Sequence, residues 1–472
     1  MASFHPRIPL GLVARYLRGF SPVEGKRYIT CHSLRNQGSL KSVDDEAFNL
    51  LASHYKNGNC LNLSVSNNII PKYLREYFSL DLNKSLSFDV RHLRMIEDMA
   101  LSSFHLEPKY WGCTFGVNST VDYPPGEVDN PFTFTLFRSL TNCKNCKGRV
   151  MNISFALSEE GEEANNPLTE NYYDCVNVKI KDKVDYEQIH KIYDAFNPHL
   201  VHVDETNNPH NFNYDFFSSL KDINKCVVIT NISNKGSLIS HDFIPSPFKN
   251  CDVVYTYFNE NMRAHNCHVI FYKKGYKQMD TEGKLIHYEY EKKLKNHFLP
   301  IRVNNTIFSF MTSFRMMKNA EFKEYVIQSK ENTRALLSHL NKDFFNIQYT
   351  QNSNFLNLNC TISPFNVYEF HQFCKELNIF FDILNPFKYA QKSFNVGTNY
   401  LTSMGLLEGD MKTVAEFLNR TLSLYLCAKR QANCASNEFM QFLKQTYVTS
   451  PNMLSLSNDI FSFISSFPDV HS

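Results

Sequence analysis

Short apolar runs alternate with helical patterns through the first two thirds of the chain. GRVMNISF at 148–155, CVNVKI, LVHV at 200–203, CVVIT at 226–230, DVVYTY at 252–257 and CHVIFY at 267–272 read as strands. DYEQIHKIYDAF at 185–196 and FFSSLKD read as helices between them, the first with Asp185 near its start. Apolar strands alternating with helices predict a mostly parallel sheet covered on both faces. Upstream, residues 44–57, 71–79 and 92–104 read as helices, with LNLSVSNN at 61–68 extended between the first two. Residues 130–141 are helical in pattern, though their Thr and Phe content suits a strand equally. Past about 276 the texture changes. KGYKQMDTEGKLIHYE reads as a charged, Gly-centred hairpin, and residues 304–320 and 321–341 as long helices. FFNIQY and FLNLNCTI then read as strands, VYEFHQFCKELNI as a helix, FNVGTNYLT as extended, and 409–428 and 436–445 as helices. This pattern predicts an N-terminal arm over 1–45, a large domain over 46–325 and a smaller C-terminal α/β domain over 326–472.

Composition narrows the classes. Hydrophobic residues make up 43% and charged residues 20% of the 472, which suits a globular chain with a large core. Only 16 Gly stand against 40 Phe and 25 Tyr, so glycine-lined phosphate loops are scarce. A net charge of +2 gives no push toward nucleic acid, and no apolar run reaches membrane-span length. The 13 cysteines are scattered and odd in number, which fits a reducing compartment better than a disulfide framework. Cys143 and Cys146 form a CxxC without a second ligand pair, and read as a loop. The first 23 residues hold Arg7, Arg15 and Arg18 and no acid ahead of Val23, with Leu10, Leu12, Val13, Tyr16, Leu17 and Phe20 able to share a helical face. This is transit-peptide composition and predicts a mitochondrial address, with the cytoplasm as the alternative.

Residues 226–275 hold strand, polar turn, Pro-Ser-Pro segment, strand, polar loop and strand in succession. That is how an α/β enzyme lines a cofactor pocket. IPSPFKNCDVV and VIFYKKGYKQMDTEGK in this stretch resemble segments of serine hydroxymethyltransferases, fold-type I enzymes that use pyridoxal phosphate (PLP). LNLSVSNNIIPKYLREYF, EFKEYVIQSKENTRALLSHL and GTNYLTSMGLLEGDMKTVAEFLNRTL resemble further family segments in the same order. The resemblance spans about 60–472. It implies an α/β chain with a fold-type I PLP-transferase large domain (aspartate aminotransferase-like), a mostly parallel sheet and a smaller C-terminal domain. It also implies assembly through large-domain surfaces.

The family's functional residues do not follow its framework. The family lysine that binds PLP falls on Glu260 and the preceding His on Asn259, while the nearby Arg persists as Arg263. The acid that pairs with the pyridinium nitrogen becomes Asn231, in a turn that ends at Asn234. The ring-stacking His falls on Glu160 and its partner on Glu163. Glu127 and Asp129 stand around the phosphate cup, and Pro300 and Ile301 replace the glycines of the neighbouring subunit's phosphate loop. The arginine that clamps the substrate carboxylate aligns with Asn395, and the acid/base Glu with Asn67. A Ser near the pyridoxal oxygen aligns with Thr206, and an Arg with His210. A carboxylate forms no Schiff base, Asn cannot balance a ring charge, and Asn makes no bidentate clamp.

The expectation is therefore a family member without the cofactor and without catalysis, acting as a homodimer or as a heteromer with an active family enzyme in one-carbon metabolism. The alternatives are a divergent glycine hydroxymethyltransferase and a ligand sensor on the same fold. Lys235 reads as a solvated loop lysine, and Glu159 to Glu163 as a solvated acidic loop. His241 and Asp242 read as neighbours pointing apart rather than an acid/base pair. No metal site is expected.

Overall fold

The computed structural model describes residues 45–46, 60–79, 90–116, 131–141, 147–155, 171–180, 183–224, 226–258, 262–264, 267–279, 282–298, 305–383, 393–432 and 436–468. Met1–Gly58 and Asn59–Ser472 are separate compact units, and the architecture below is that of the second.

In chain order, β1 is Leu61–Asn62, β2 Trp111–Gly116, β3 Gly148–Phe155, β4 Tyr173–Ile180, β5 Leu200–Asp204, β6 Val227–Asn231, β7 Val253–Phe258 and β8 Cys267–Lys273. Strands β2 to β8 form one seven-stranded sheet in the order β2-β8-β7-β6-β5-β3-β4. Pairs from β4 to β7 are parallel, while β8 runs antiparallel to both β7 and β2. The sheet is thus mostly parallel, as the apolar runs predict. Both faces are buried because successive side chains point to opposite sides. Val201 and Val203 enter one core with Phe217, Phe314 and Phe322, while Leu200, Ile229 and Tyr272 enter the other with Phe132 and Phe137.

Several described helices lie where the sequence pattern places them, while Asn399–Ser403, most of it read as extended, is a short helix and most of 44–57 lies outside the described residues. Asp185 caps the helix Tyr186–Phe196 by accepting from the Gln188 N–H at 2.9 Å, and Asn197 ends it in the left-handed region at φ 50°. The ambiguous 130–141 segment is the helix Pro131–Leu140, which lays Phe132, Leu136 and Phe137 on the sheet. Strands β9 (Tyr276–Met279) and β10 (Leu285–His287) make the predicted hairpin.

The helix Ala320–His339 joins two cores. Its Phe322 and Val326 pack with the large sheet, and its Leu336 packs in the C-terminal core. That core is built on β11 (Phe345–Gln348), β12 (Phe355–Cys360), β13 (Ile379–Phe380) and β14 (Ser393–Gly397), backed by the helices Val367–Glu376, Met411–Ala432 and Pro451–Ser465. β1 pairs in parallel with β13, so Leu61, Leu63 and Ile69 belong to this second core although the sequence groups them with the large domain. Among the described residues, no helix is long and apolar enough to cross a membrane.

Candidate functional site

The C-terminal ends of parallel strands are where open α/β sheets gather binding groups. Here β5 and β6 end side by side, with Asp204 in register with Asn231. Asn231 is buried and its side chain is fully engaged. Its Nδ2 donates to Thr206 Oγ1 at 2.9 Å, and its Oδ1 accepts from the Ser233 N–H at 3.0 Å and the Ser233 hydroxyl at 2.7 Å. Asp204 accepts from the Thr206 N–H at 2.9 Å, and burial pushes its carboxyl pKa up against those hydrogen bonds. Asn234 adopts φ 68° and is buried, with Nδ2 3.4 Å from the Thr206 carbonyl oxygen. Asn231, Thr206 and Asn234 are thus brought together.

Lys235 overturns an expectation. It is not a solvated loop lysine but is 3% exposed, with Nζ 2.6 Å from Glu205 Oε2 and 2.5 Å from the His210 carbonyl oxygen. Glu205 is 1% exposed and also accepts from the Tyr214 hydroxyl at 2.6 Å and from Asn208 Nδ2 at 3.1 Å. A buried carboxylate needs such a set of donors, and a buried ammonium needs acceptors. The pair sits next to Thr206 and Asn234 in sequence, so a buried ion pair and its partners lie beside the ring-pairing position. Asp204 and Glu205 carry acids at the C-terminal end of an apolar strand, a position that could have been read as a site signal.

The C-terminal core contributes an amide ladder. Asn395 on β14 accepts from Asn357 Nδ2 at 3.0 Å and donates through Nδ2 to Asn207 Oδ1 at 3.1 Å. This connects β12 and β14 to the loop after β5. Where a substrate-clamping arginine is expected from the resemblance, both polar atoms of Asn395 are occupied by protein. Beside it, Asp382 forms an isolated antiparallel bridge with Asn395. Its carboxylate accepts from Val65 N–H at 2.7 Å, from Ser66 N–H at 3.0 Å, and from the hydroxyls of Ser64 and Ser66. Enclosure of this carboxyl raises its pKa. Gly397 lets β14 approach the same turn, since a Cβ there would stand 3.0 Å from Val65 Cα. Sequence reasoning missed Asp382, and no local signal marks it. Asn67, in the acid/base position, is exposed, whereas its neighbour Asn68 is buried and donates to the Tyr325 hydroxyl at 2.8 Å.

Arg263 adopts φ 53° and lies with its guanidinium carbon 5.1 Å from the Tyr325 ring centroid. Its Nε is buried without a hydrogen-bond partner. His241 bonds through Nδ1 to the Ser237 carbonyl of its own helix at 3.0 Å and packs on Phe322, which is a structural role. Asn259, Glu260, Glu127, Asp129, the whole Glu159 to Glu163 run with Glu160 and Glu163, Pro300, Ile301, Cys143 and Cys146 lie outside the described residues. Among the described residues, no group of His, Cys, Asp and Glu could hold a metal ion.

PLP requires an acid for its ring nitrogen, an amine for its aldehyde and a cationic or N–H-rich cup for its phosphate. Among the described residues, neither the ring-nitrogen position nor the nearby buried amine offers these groups. Asn231 supplies no charge and is saturated by Thr206 and Ser233. The buried amine at Lys235 is consumed by Glu205.

The serine hydroxymethyltransferase family model matches residues 91–418. The chain is 22% identical to a serine hydroxymethyltransferase of Bombyx mori, over 79% of this chain and 82% of the relative. It is 23% identical to the cytosolic serine hydroxymethyltransferase of Oryctolagus cuniculus, over 91% of this chain and 93% of that one. It is 24% identical to serine hydroxymethyltransferase 5 of Arabidopsis thaliana, over 72% and 74%. The α/β architecture, with its mostly parallel sheet covered by helices, matches a fold-type I PLP-transferase large domain.

Proposed function

The chain belongs to the serine hydroxymethyltransferase family, and from that premise we propose that it is a member without the family's cofactor chemistry, acting as a binding partner of an active family enzyme. The observation that carries this reading is the buried Asn231–Thr206–Ser233 set beside the Lys235–Glu205 pair. These groups satisfy one another, which supports a ring position that no longer serves a cofactor. Glu260 in the lysine position and Asn395 in the arginine position support the same reading from sequence. A site can be emptied without unfolding the scaffold that carried it. The scaffold then serves assembly, as a homodimer or as a heteromer that tunes an active paralogue in one-carbon metabolism. The basic, acid-free start of the chain supports a mitochondrial setting for that pairing.

A second reading, a divergent glycine hydroxymethyltransferase, draws on Asp204. This carboxyl stands in register with Asn231 and is the nearest candidate for the missing ring partner. A PLP titration of the purified chain, alone and mixed with the organism's active family member, separates the two. The partner reading expects no visible cofactor band on this chain and co-elution of the two proteins on sizing. Stoichiometric PLP with a glycine-dependent spectral change establishes the second reading, and elution as a lone monomer beside the active enzyme sinks the first.

A further inference from the structure

A groove of about 630 Å³ opens between the helices Val90–Ser103 and Asn305–Met317. Arg91, Arg94, Arg315 and Lys318 line it against a single acid, Asp98, a local surplus of three positive charges. The whole chain has a net charge of only +2, so the net positive charge lining this one groove exceeds that of the entire chain. Arg91 and Arg94 stand three residues apart on one helix, a like-charge spacing that costs helix stability. The acid next to them in sequence, Glu97, is turned to Lys295 at 3.3 Å instead. Neither Arg94 nor Arg315 makes an ion pair among the described residues. Lys318 is held at the rim by its Nζ donating to Ser102 Oγ at 2.7 Å. Folding therefore does not explain the charges of Arg94 and Arg315.

The floor is apolar. Phe314 is fully buried beneath it, Met99 is half-buried, and Met95 is 37% exposed. Methionine side chains adapt to varied apolar partners, and arginine forks match carboxylates. A cationic rim over an adaptable apolar floor fits a chain that carries both carboxylates and an apolar side chain. A nucleic acid would use the rim but not the floor, since among the described lining residues no exposed aromatic ring offers a base a stacking surface.

We propose that this groove binds an acidic peptide segment of a partner protein, with carboxylates on Arg94 and Arg315 and one apolar side chain on the Met95, Met99 and Phe314 floor. The inference goes beyond the proposed function, because none of the lining residues is a family-site position and its test uses neither cofactor nor paralogue.

The probe is a fluorescent glutamate-rich peptide with a central leucine, titrated with the full chain and followed by anisotropy. The wild type binds it, and binding weakens as salt rises. Arg94→Glu with Arg315→Glu weakens it about tenfold or more. Met95→Ser weakens it about threefold while leaving the salt dependence unchanged. Lys292→Glu, an exposed reversal outside the groove, leaves affinity intact. Thermal melts establish that the variants are folded, and if the double reversal is not, Met95→Ser and the salt series carry the test. Wild-type affinity in the folded Arg94→Glu, Arg315→Glu protein overturns the proposal, as does equal weakening by Lys292→Glu. Tighter binding of a single-stranded RNA oligonucleotide at the same residues also overturns it. Self-association that the double reversal abolishes, without peptide binding, makes a second copy the occupant and overturns it too.

Discussion

Lys235 Nζ lies 2.6 Å from Glu205 Oε2, and both side chains are buried at the ends of adjacent segments after β5 and β6. The pair ties the 231–236 turn to the loop that carries Thr206, Asn207 and Asn208. Lys235→Met leaves the buried Glu205 carboxyl short of its strongest donor. We expect a loss of about 3–5 kcal/mol of stability, read as a lower urea midpoint. Adding Glu205→Leu to the same protein removes the stranded carboxyl and recovers part of that loss, although the Tyr214 hydroxyl then loses its acceptor. Equal midpoints for wild type and Lys235→Met would mean that the pair carries no net stability.

Restoring one family residue will not restore the family site. Asn231→Asp sets a carboxylate in register with Asp204, whose own pKa burial already raises. Two acids in one poorly solvated place share a proton. The variant should bind no PLP and lose about 1–3 kcal/mol at neutral pH. Its raised carboxyl pKa gives the sign: stability returns as pH falls and the shared proton binds. A visible cofactor band in Asn231→Asp would instead identify Asn231 as the single block to binding.

Strands β5 to β7 were legible because fully buried parallel strands are near-continuous apolar runs such as CVVIT and DVVYTY. β2 was not read, since WGCTFG carries two glycines and its partner β8 lies about 155 residues on. The C-terminal helix Pro451–Ser465 went unread despite Ser450 and Pro451 at its start. The departures from the family's site residues were legible only through the family pattern. The replacement chemistry was not legible, because each pair closes across the fold. Asn-Lys-Gly at 234–236 looks like a solvated turn until β5 and β6 place Glu205 against it. Asp382 meets Ser64 across 318 residues, a contact that no local spacing announces.

The amide ladder predicts a stability effect where the family would show a substrate effect. Asn395→Ala strands the Asn357 donor in a buried place and frees the partly exposed Asn207 for water. The cost should be about 1–2 kcal/mol by chemical denaturation. Glycine should not shift the melting temperature of either protein. A glycine-dependent shift present in the wild type and lost in Asn395→Ala would give Asn395 a ligand role.

Two buried histidines on the large sheet predict a loss of stability in acid. His202 is 2% exposed, with Nε2 3.0 Å from the Tyr255 hydroxyl and Nδ1 without a partner. His268 stacks on Phe132 with ring centroids 3.6 Å apart. Burial holds both neutral and pushes each pKa down to about 3. An unfolded histidine titrates near 6.5, so the unfolded chain binds these protons first. The stability tied to each neutral ring is therefore complete above about pH 6.5 and is lost as pH falls toward 3. At about pH 5 each costs about 2 kcal/mol relative to neutral pH. Asp204 and Asp382, with raised carboxyl pKa values, act in the opposite sense and oppose the loss at the acidic end of that range. Thermal midpoints at pH 7 and pH 5 should fall for the wild type and fall less for His268→Phe, which keeps the stack on Phe132 and removes one proton site. The same fall in His268→Phe as in the wild type would move the acid sensitivity elsewhere. A smaller fall would place it on a ring packed against the sheet face that the helix Pro131–Leu140 covers, a face whose integrity depends on that imidazole staying uncharged.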